Sequence, residues 1–177
     1  IFLSKNKFFF IVGPTRAGSK IYQNALDKLP EVSVFDELHY LRPSFVGPDF
    51  VRTLRDEIGP VNSDTKIHEL ISFIFSGKLS GSFWRDKSLT HNNRNALSYI
   101  DRDRLFNKIK KSNRNYFMIM HLLLQEILIS KKDKYLGLRY PVHVNLLPVL
   151  NKLYKKEKII LILRDPRAVF ISSIMKD

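Results

Sequence analysis

Late in the chain, Lys158 to Leu163 (KIILIL) forms an unbroken aliphatic run that stops at Arg164-Asp165-Pro166. With no polar residue alternating through it, such a run reads as a strand buried on both faces, as in a parallel sheet. Asp165 is a good N-cap, and Pro166 suits a first helical position, where its missing N–H costs nothing. A helix should therefore follow the strand at once. The same order appears near the start: Lys7 to Val12 (KFFFIV) closes at Gly13-Pro14, and Ile21, Ala25, Leu26 and Leu29 then recur at helical spacing until Pro30. Val32 to Phe35 and Tyr135 to Leu138 read as two more strands, the latter followed by a helix over Val142 to Tyr154. Strands alternating with helices predict an α/β three-layer sandwich: a central, mainly parallel sheet flanked by helices, with ligands beyond the carboxyl ends of the strands.

Between these halves, Asp36 to Pro48 reads as loop, and the stretch from about Asp49 to Ser130 as helices, with Lys66–Phe75, Asp101–Lys111 and Asn115–Ser130 as candidates. No repeat or low-complexity linker divides the 177 residues, a length that fits one domain. Thirty Lys and Arg against 17 Asp and Glu give a net charge of +13, so an anionic partner is expected. The absence of cysteine excludes a disulfide scaffold, a thiolate metal site and a cysteine nucleophile, and five scattered His without an HxxxH spacing argue against zinc. No metal is expected. The most apolar stretch, Tyr116 to Ile129, is interrupted by His121, Gln125 and Glu126, so no membrane span is expected. Ile1 to Phe10 has no signal-peptide layout. Richness in Lys, Asn, Ile and Phe without Cys fits a microbial cytoplasmic protein.

Gly13-Pro14-Thr15-Arg16-Ala17-Gly18-Ser19-Lys20 joins a strand to a helix, a setting where backbone N–H groups and the helix dipole bind an anion. It nearly fits the P-loop pattern GxxxxGK[ST], but Ser19 and Lys20 are in swapped order, which displaces the hydroxyl that would hold Mg²⁺ and weakens an ATP-dependent kinase reading. At the second strand end Arg164 stands where a metal-binding carboxylate would be, favouring anion over metal. Ser172 follows eight residues later, on roughly the same helix face as Asp165 and Ala168, so Arg164 and Ser172 could share a phosphate. Asp165 and Arg167 taken alone read as cap and surface pair.

In order along the chain, GPTRAGSK and RDPRAVFIS resemble the two signature motifs of the sulfotransferases that use 3′-phosphoadenosine 5′-phosphosulfate (PAPS), roughly GxxRSGTT and RDPRxVxxS. Leu26 to Val32 is similar to the family's L-x-x-h-P-x-v segment, and Leu138 to His143 to its KxP-x-H segment. The resemblance implies a P-loop-like fold, here expected as a single domain over 1–177 without the C-terminal part that normally covers the cofactor. It implies that Arg16 meets the phosphosulfate, that Ala17, Gly18, Ser19 and Lys20 cradle it, that Arg164 and Ser172 hold the 3′-phosphate, and that Arg139 supplies a second positive charge. Ala17 and Lys20 depart from the motif's hydroxyl residues. Glu37, twenty-one residues after Arg16, matches the place of the family's carboxylate base, with His39 and then Asp36 as alternatives.

The implied activity is transfer of a sulfuryl group from PAPS, as co-substrate and without a metal, to an acceptor hydroxyl on a carbohydrate, lipid, small alcohol or tyrosine. Trp84, Arg85, His91 and Asn92 to Asn95 would help shape the acceptor pocket. Besides the kinase, two other readings are a non-catalytic relative and a basic nucleic-acid-binding module built on the clusters Lys108, Lys110, Lys111, Arg114 and Lys152, Lys155, Lys156, Lys158. No nucleic-acid motif accompanies those clusters, and no nucleic-acid partner is expected.

Overall fold

The computed structural model describes residues 7–36, 38–39, 41–43, 49–78 and 96–175. In chain order the elements are β1 (Phe8–Val12), α1 (Ser19–Leu26), β2 (Val32–Asp36), α2 (Phe50–Ile58), α3 (Asp64–Phe75), a 3₁₀ turn at Ala96–Tyr99, α4 (Arg102–Lys110), α5 (Tyr116–Lys131), β3 (Tyr135–Arg139), a 3₁₀ segment at Pro141–Leu146, α6 (Leu147–Leu153), β4 (Lys158–Leu161) and α7 (Pro166–Ile174). They form two compact units, one of residues 1–37 and 134–177 and one of residues 38–133.

The first unit is the α/β part. Its four described strands are all parallel, in the order β2-β3-β1-β4. Side chains alternate along β1, so its two faces bury different partners. Ile11 joins Ala17, Val34 and Ile162 in one cluster, with Phe9 and Leu26 of α1 packed against it. On the opposite face Phe8 and Phe10 meet the ring of Tyr154, at the end of α6, with centroids 6.3 and 5.0 Å away. Helices thus cover both faces, which gives the three layers. Burial and the nearby Glu157 push the Tyr154 phenol up.

Three expectations change. KIILIL is not buried on both faces: β4 pairs only with β1 among the described strands, and Ile159, Leu161 and Leu163 are 37, 47 and 76% exposed. α1 ends at Leu26 rather than Leu29, because the Asp27 side chain turns back to accept the Val34 N–H at 2.7 Å. The helix predicted over Val142 to Tyr154 splits into the 3₁₀ segment and α6.

Among its described residues the second unit is helical, and each of its α-helices there starts on a side-chain cap: Asp49, Ser63, Asp101 and Asn115 accept N–H groups of α2, α3, α4 and α5. Phe50, Leu54, Ile67, Leu70, Ile74, Leu105 and Ile109 are fully buried. On α5 the buried Glu126 carboxylate receives Arg104 Nε at 2.5 Å and Lys108 Nζ at 2.6 Å from α4. Burial, with Lys108 adding to it, lowers His121 to about 4. Among the described residues no helix is long and apolar enough to cross a membrane.

Candidate anion site at the strand ends

Because all four strands run parallel, their carboxyl ends share one edge of the sheet, and each end leads to a charged residue. The loop after β1 carries Arg16 and leads into Lys20 at the start of α1, β2 ends at Asp36, β3 ends at Arg139, and Arg164 follows β4. The first loop is shaped by close approach and by two left-handed residues. A Cβ on Gly13 would lie 2.5 Å from the Ile162 carbonyl oxygen, so only glycine allows the β1 end to pass β4 this closely. Arg16 and Gly18 take φ values of 65° and 91°, and Ala17 N–H closes the turn on Pro14 O at 3.2 Å. Among the described residues no side chain caps α1; Ile21 N–H donates to Gly18 O at 3.0 Å, which leaves the N–H groups of Ser19 and Lys20 for water or an anion.

Two reciprocal bonds tie this loop to the segment after β4. Arg16 Nε donates to the Ser172 carbonyl at 3.1 Å, and Arg164 Nη1 donates to the Arg16 carbonyl at 3.0 Å. Thr15, Arg16, Gly18, Ser19, Lys20, Arg139, Pro141, Arg164 and Ser172 line one cavity of about 400 Å³. A second lobe, of about 410 Å³, is bounded by Arg16, Arg164 and Ser172 together with Ala168, Ile171 and Met175. Four cations therefore surround one small space, a concentration of positive potential that selects anions.

Arg139 is not a surface arginine. It is 8% exposed, and its Nε lies 3.0 Å from Asp36 Oδ1 and 3.2 Å from Gln23 Oε1. Asp36 also holds Lys20, at 2.6 Å. Asp165 and Arg167 form the cap and surface pair: Asp165 accepts the Arg167 N–H at 2.9 Å and its guanidinium at 2.6 Å, and that bonding holds the Asp165 carboxyl below its usual range.

Of the residues expected in the site, Arg16, Gly18, Ser19, Lys20, Arg139, Arg164 and Ser172 meet in the cavity. Ala17 does not line it, because its methyl group packs into the core beneath the loop, with only its backbone near the turn. Glu37, Trp84, Arg85, His91 and Asn92 to Asn95 lie outside the described residues. His39 belongs to the helical unit, where its carbonyl accepts the Phe50 N–H at 3.0 Å. His143 is fully buried against Tyr140, with ring centroids 4.8 Å apart, a packing role. Among the described residues no three His, Asp or Glu side chains are grouped so as to hold a metal ion.

A model of the sulfotransferase family matches residues 9–177 of the chain. The chain belongs to the sulfotransferase family. The match runs through both units and includes every cation of the cavity. Membership brings the P-loop-like fold that the parallel sheet and its glycine-containing first loop display, and it places the chain among transferases of the sulfotransferase class. No curated protein and no solved structure matched the chain.

Sequence reasoning missed Gln23, Thr15 and Pro141 in or behind this cavity, and it took Asp36 for a minor candidate base. The signal for Asp36 lay in topology. Parallel pairing of β2 with β3 sets Asp36 beside Arg139.

Proposed function

We propose that the cavity binds PAPS and that the protein transfers its sulfuryl group to an acceptor hydroxyl. The observation that carries this reading is the convergence of Arg16, Lys20, Arg139 and Arg164 on one cavity beside an uncapped helix start. A compound with phosphate-type charge at both ends of a nucleoside suits two lobes that share Arg16, Arg164 and Ser172. Ala168, Ile171 and Met175 add an apolar wall for its base. The family match across both units supports reading them as one catalytic domain.

When bound, PAPS would supply the activated sulfuryl group. In this reading Arg16 and the N–H groups of Gly18, Ser19 and Lys20 hold the phosphosulfate, while Arg164 and Ser172 hold the 3′-phosphate. Arg16 is oriented in advance by its bond to Ser172 O, so its positive charge stands ready where negative charge grows on the leaving oxygen. Arg139, fixed by Asp36 and Gln23, offers a second preset charge. Glu37 takes the acceptor's proton during in-line attack. Carbohydrate, lipid, small-alcohol and tyrosine acceptors all meet this requirement.

Calorimetric titration with 3′-phosphoadenosine 5′-phosphate, beside ATP with Mg²⁺, tests the reading. Selective binding of the bisphosphate, weakened by Arg164→Ala, is expected; preference for ATP with Mg²⁺ would favour the kinase instead.

A further inference from the structure

The wall behind the cavity contains one carboxylate serving two cations. Asp36 Oδ2 accepts Lys20 Nζ at 2.6 Å, and Asp36 Oδ1 lies 3.0 Å from Arg139 Nε. The two cations differ in freedom. The Arg139 side chain is 9% exposed and is also held by Gln23, itself buried and donating to Val34 O at 3.4 Å. Lys20 is 47% exposed and stands at the cavity wall on a flexible four-carbon stem. An ammonium is a compact charge with rotatable donors that can exchange one anion for another, whereas a guanidinium braced from two sides cannot turn away.

We propose that Asp36 is the counter-ion latch of the anion cavity: it braces Arg139 in place and holds Lys20 until an oligoanion draws the ammonium over. The proposal rests on reading the cavity as an oligoanion site. It makes Asp36 a positioning residue that acts through Lys20. A ligand must compete with a carboxylate already in contact with that ammonium, so multiply charged ligands are admitted and singly charged ones disfavoured. The hand-over exchanges one ionic hydrogen bond for another, so Lys20 adds little net affinity although it touches the ligand.

The test uses inorganic pyrophosphate as probe on the full chain. Calorimetry is combined with acylation of Lys20, read by peptide mass spectrometry, for the wild type, Asp36→Asn, Lys20→Ala and the double variant. Asp36→Asn should acylate faster at Lys20 and bind pyrophosphate about tenfold more tightly, because a unit negative charge has left the cavity wall and the ammonium is released. Lys20→Ala alone should weaken binding by about threefold or less, the scale of one exposed ion pair. In the Lys20→Ala background the effect of Asp36→Asn should shrink to a similar size. Unchanged or weaker binding in an Asp36→Asn protein that melts like wild type overturns the latch, as does equal tightening with and without Lys20. Should Asp36→Asn fail to fold, Lys20→Ala decides, because a loss of about tenfold or more would mean that Lys20 was never held back. Wild-type protein that binds pyrophosphate as described but not the adenosine bisphosphate removes the PAPS reading and leaves the latch; wild-type protein that binds neither removes both.

Discussion

Replacing Gly13 by alanine tests the joint on which the cavity depends. The added Cβ would stand 2.5 Å from the Ile162 carbonyl oxygen and 3.3 Å from Ile162 Cβ, while real Cβ contacts essentially never fall under 3.0 Å. The obstacle is backbone and cannot rotate away, so the β1 and β4 ends must part by about half an ångström or more, a forced overpacking that typically costs about 1–3 kcal/mol. The same displacement strains the hydrogen bond from Ile162 N–H to Val12 O, now 2.9 Å. Its loss would add about 1 kcal/mol. A total of about 2–4 kcal/mol corresponds to a melting point lower by roughly 5–15 °C in a chain of this size. Parting the strand ends also draws Arg164 away from the Arg16 carbonyl, so binding of the adenosine bisphosphate should weaken in protein that is still folded. Circular dichroism melts and calorimetry at 15 °C read the two effects separately. Gly59→Ala is the control: nothing lies within 4 Å of that position, and its φ of 71° leaves only backbone strain. With ψ at −158° that strain is about 1–3 kcal/mol, so the control should melt lower but bind normally. If Gly13→Ala melts within 2 °C of wild type and binds normally, the close approach of β1 and β4 is not what shapes the loop.

Arg164→Ala should weaken the adenosine bisphosphate by about 10- to 100-fold, the scale of hydrogen bonds to a charged group; unchanged binding in calorimetry would remove Arg164 from the site. Arg16→Ala and Glu37→Ala should each lower turnover by about 10²-fold or more with the fold retained, as measured by sulfuryl transfer and circular dichroism, and a near wild-type rate in either would exclude that residue from the chemistry. His121 should make stability depend on acid. Its folded-state value is depressed to about 4 from 6.5, so the unfolded chain binds the proton first. The stability from its neutral form is complete above about pH 6.5 and is lost as pH falls towards 4, a difference of about 3 kcal/mol. Urea unfolding of wild type and His121→Gln across pH 4–7 checks this: parallel profiles would show that His121 is not the group responsible.

Residue order and spacing were enough to find the two loops that carry Arg16 and Arg164, because each requirement there is local: an apolar run, a breaker, then a cap or a glycine. They were not enough to say how buried the second run would be. Aliphatic residues show that a strand suits covered faces but do not show which neighbours cover them, and in the run Lys158 to Leu163 three of those residues are substantially exposed. Arg139 shows a second limit. From its neighbours it reads equally well as a surface residue or a site residue, and its burial beside Asp36 emerges only when β2 pairs in parallel with β3. Ala17 shows a third, since an alanine within a binding motif can serve the loop by filling the core beneath it.

The two reciprocal bonds explain how like charges are held together before any anion arrives. Arg16 and Arg164 would repel each other across a shared cavity, yet each is anchored to a backbone carbonyl, Arg16 to that of Ser172 and Arg164 to that of Arg16. Carbonyl oxygens stabilise a guanidinium without neutralising its charge, so the cavity keeps a field that a carboxylate partner would cancel. Arg16 spends Nε on this anchor and Arg164 spends Nη1, which among the described residues leaves their other N–H groups for a ligand. The ordering cost of both long side chains is then met during folding rather than during binding, the condition under which fixed charge is most effective on a transferring group. Lys20 and Arg139 follow the opposite rule, since they share a carboxylate. Arg16 and Arg164 should therefore dominate affinity, while Lys20 and Arg139, offset by Asp36, tune which anion is accepted.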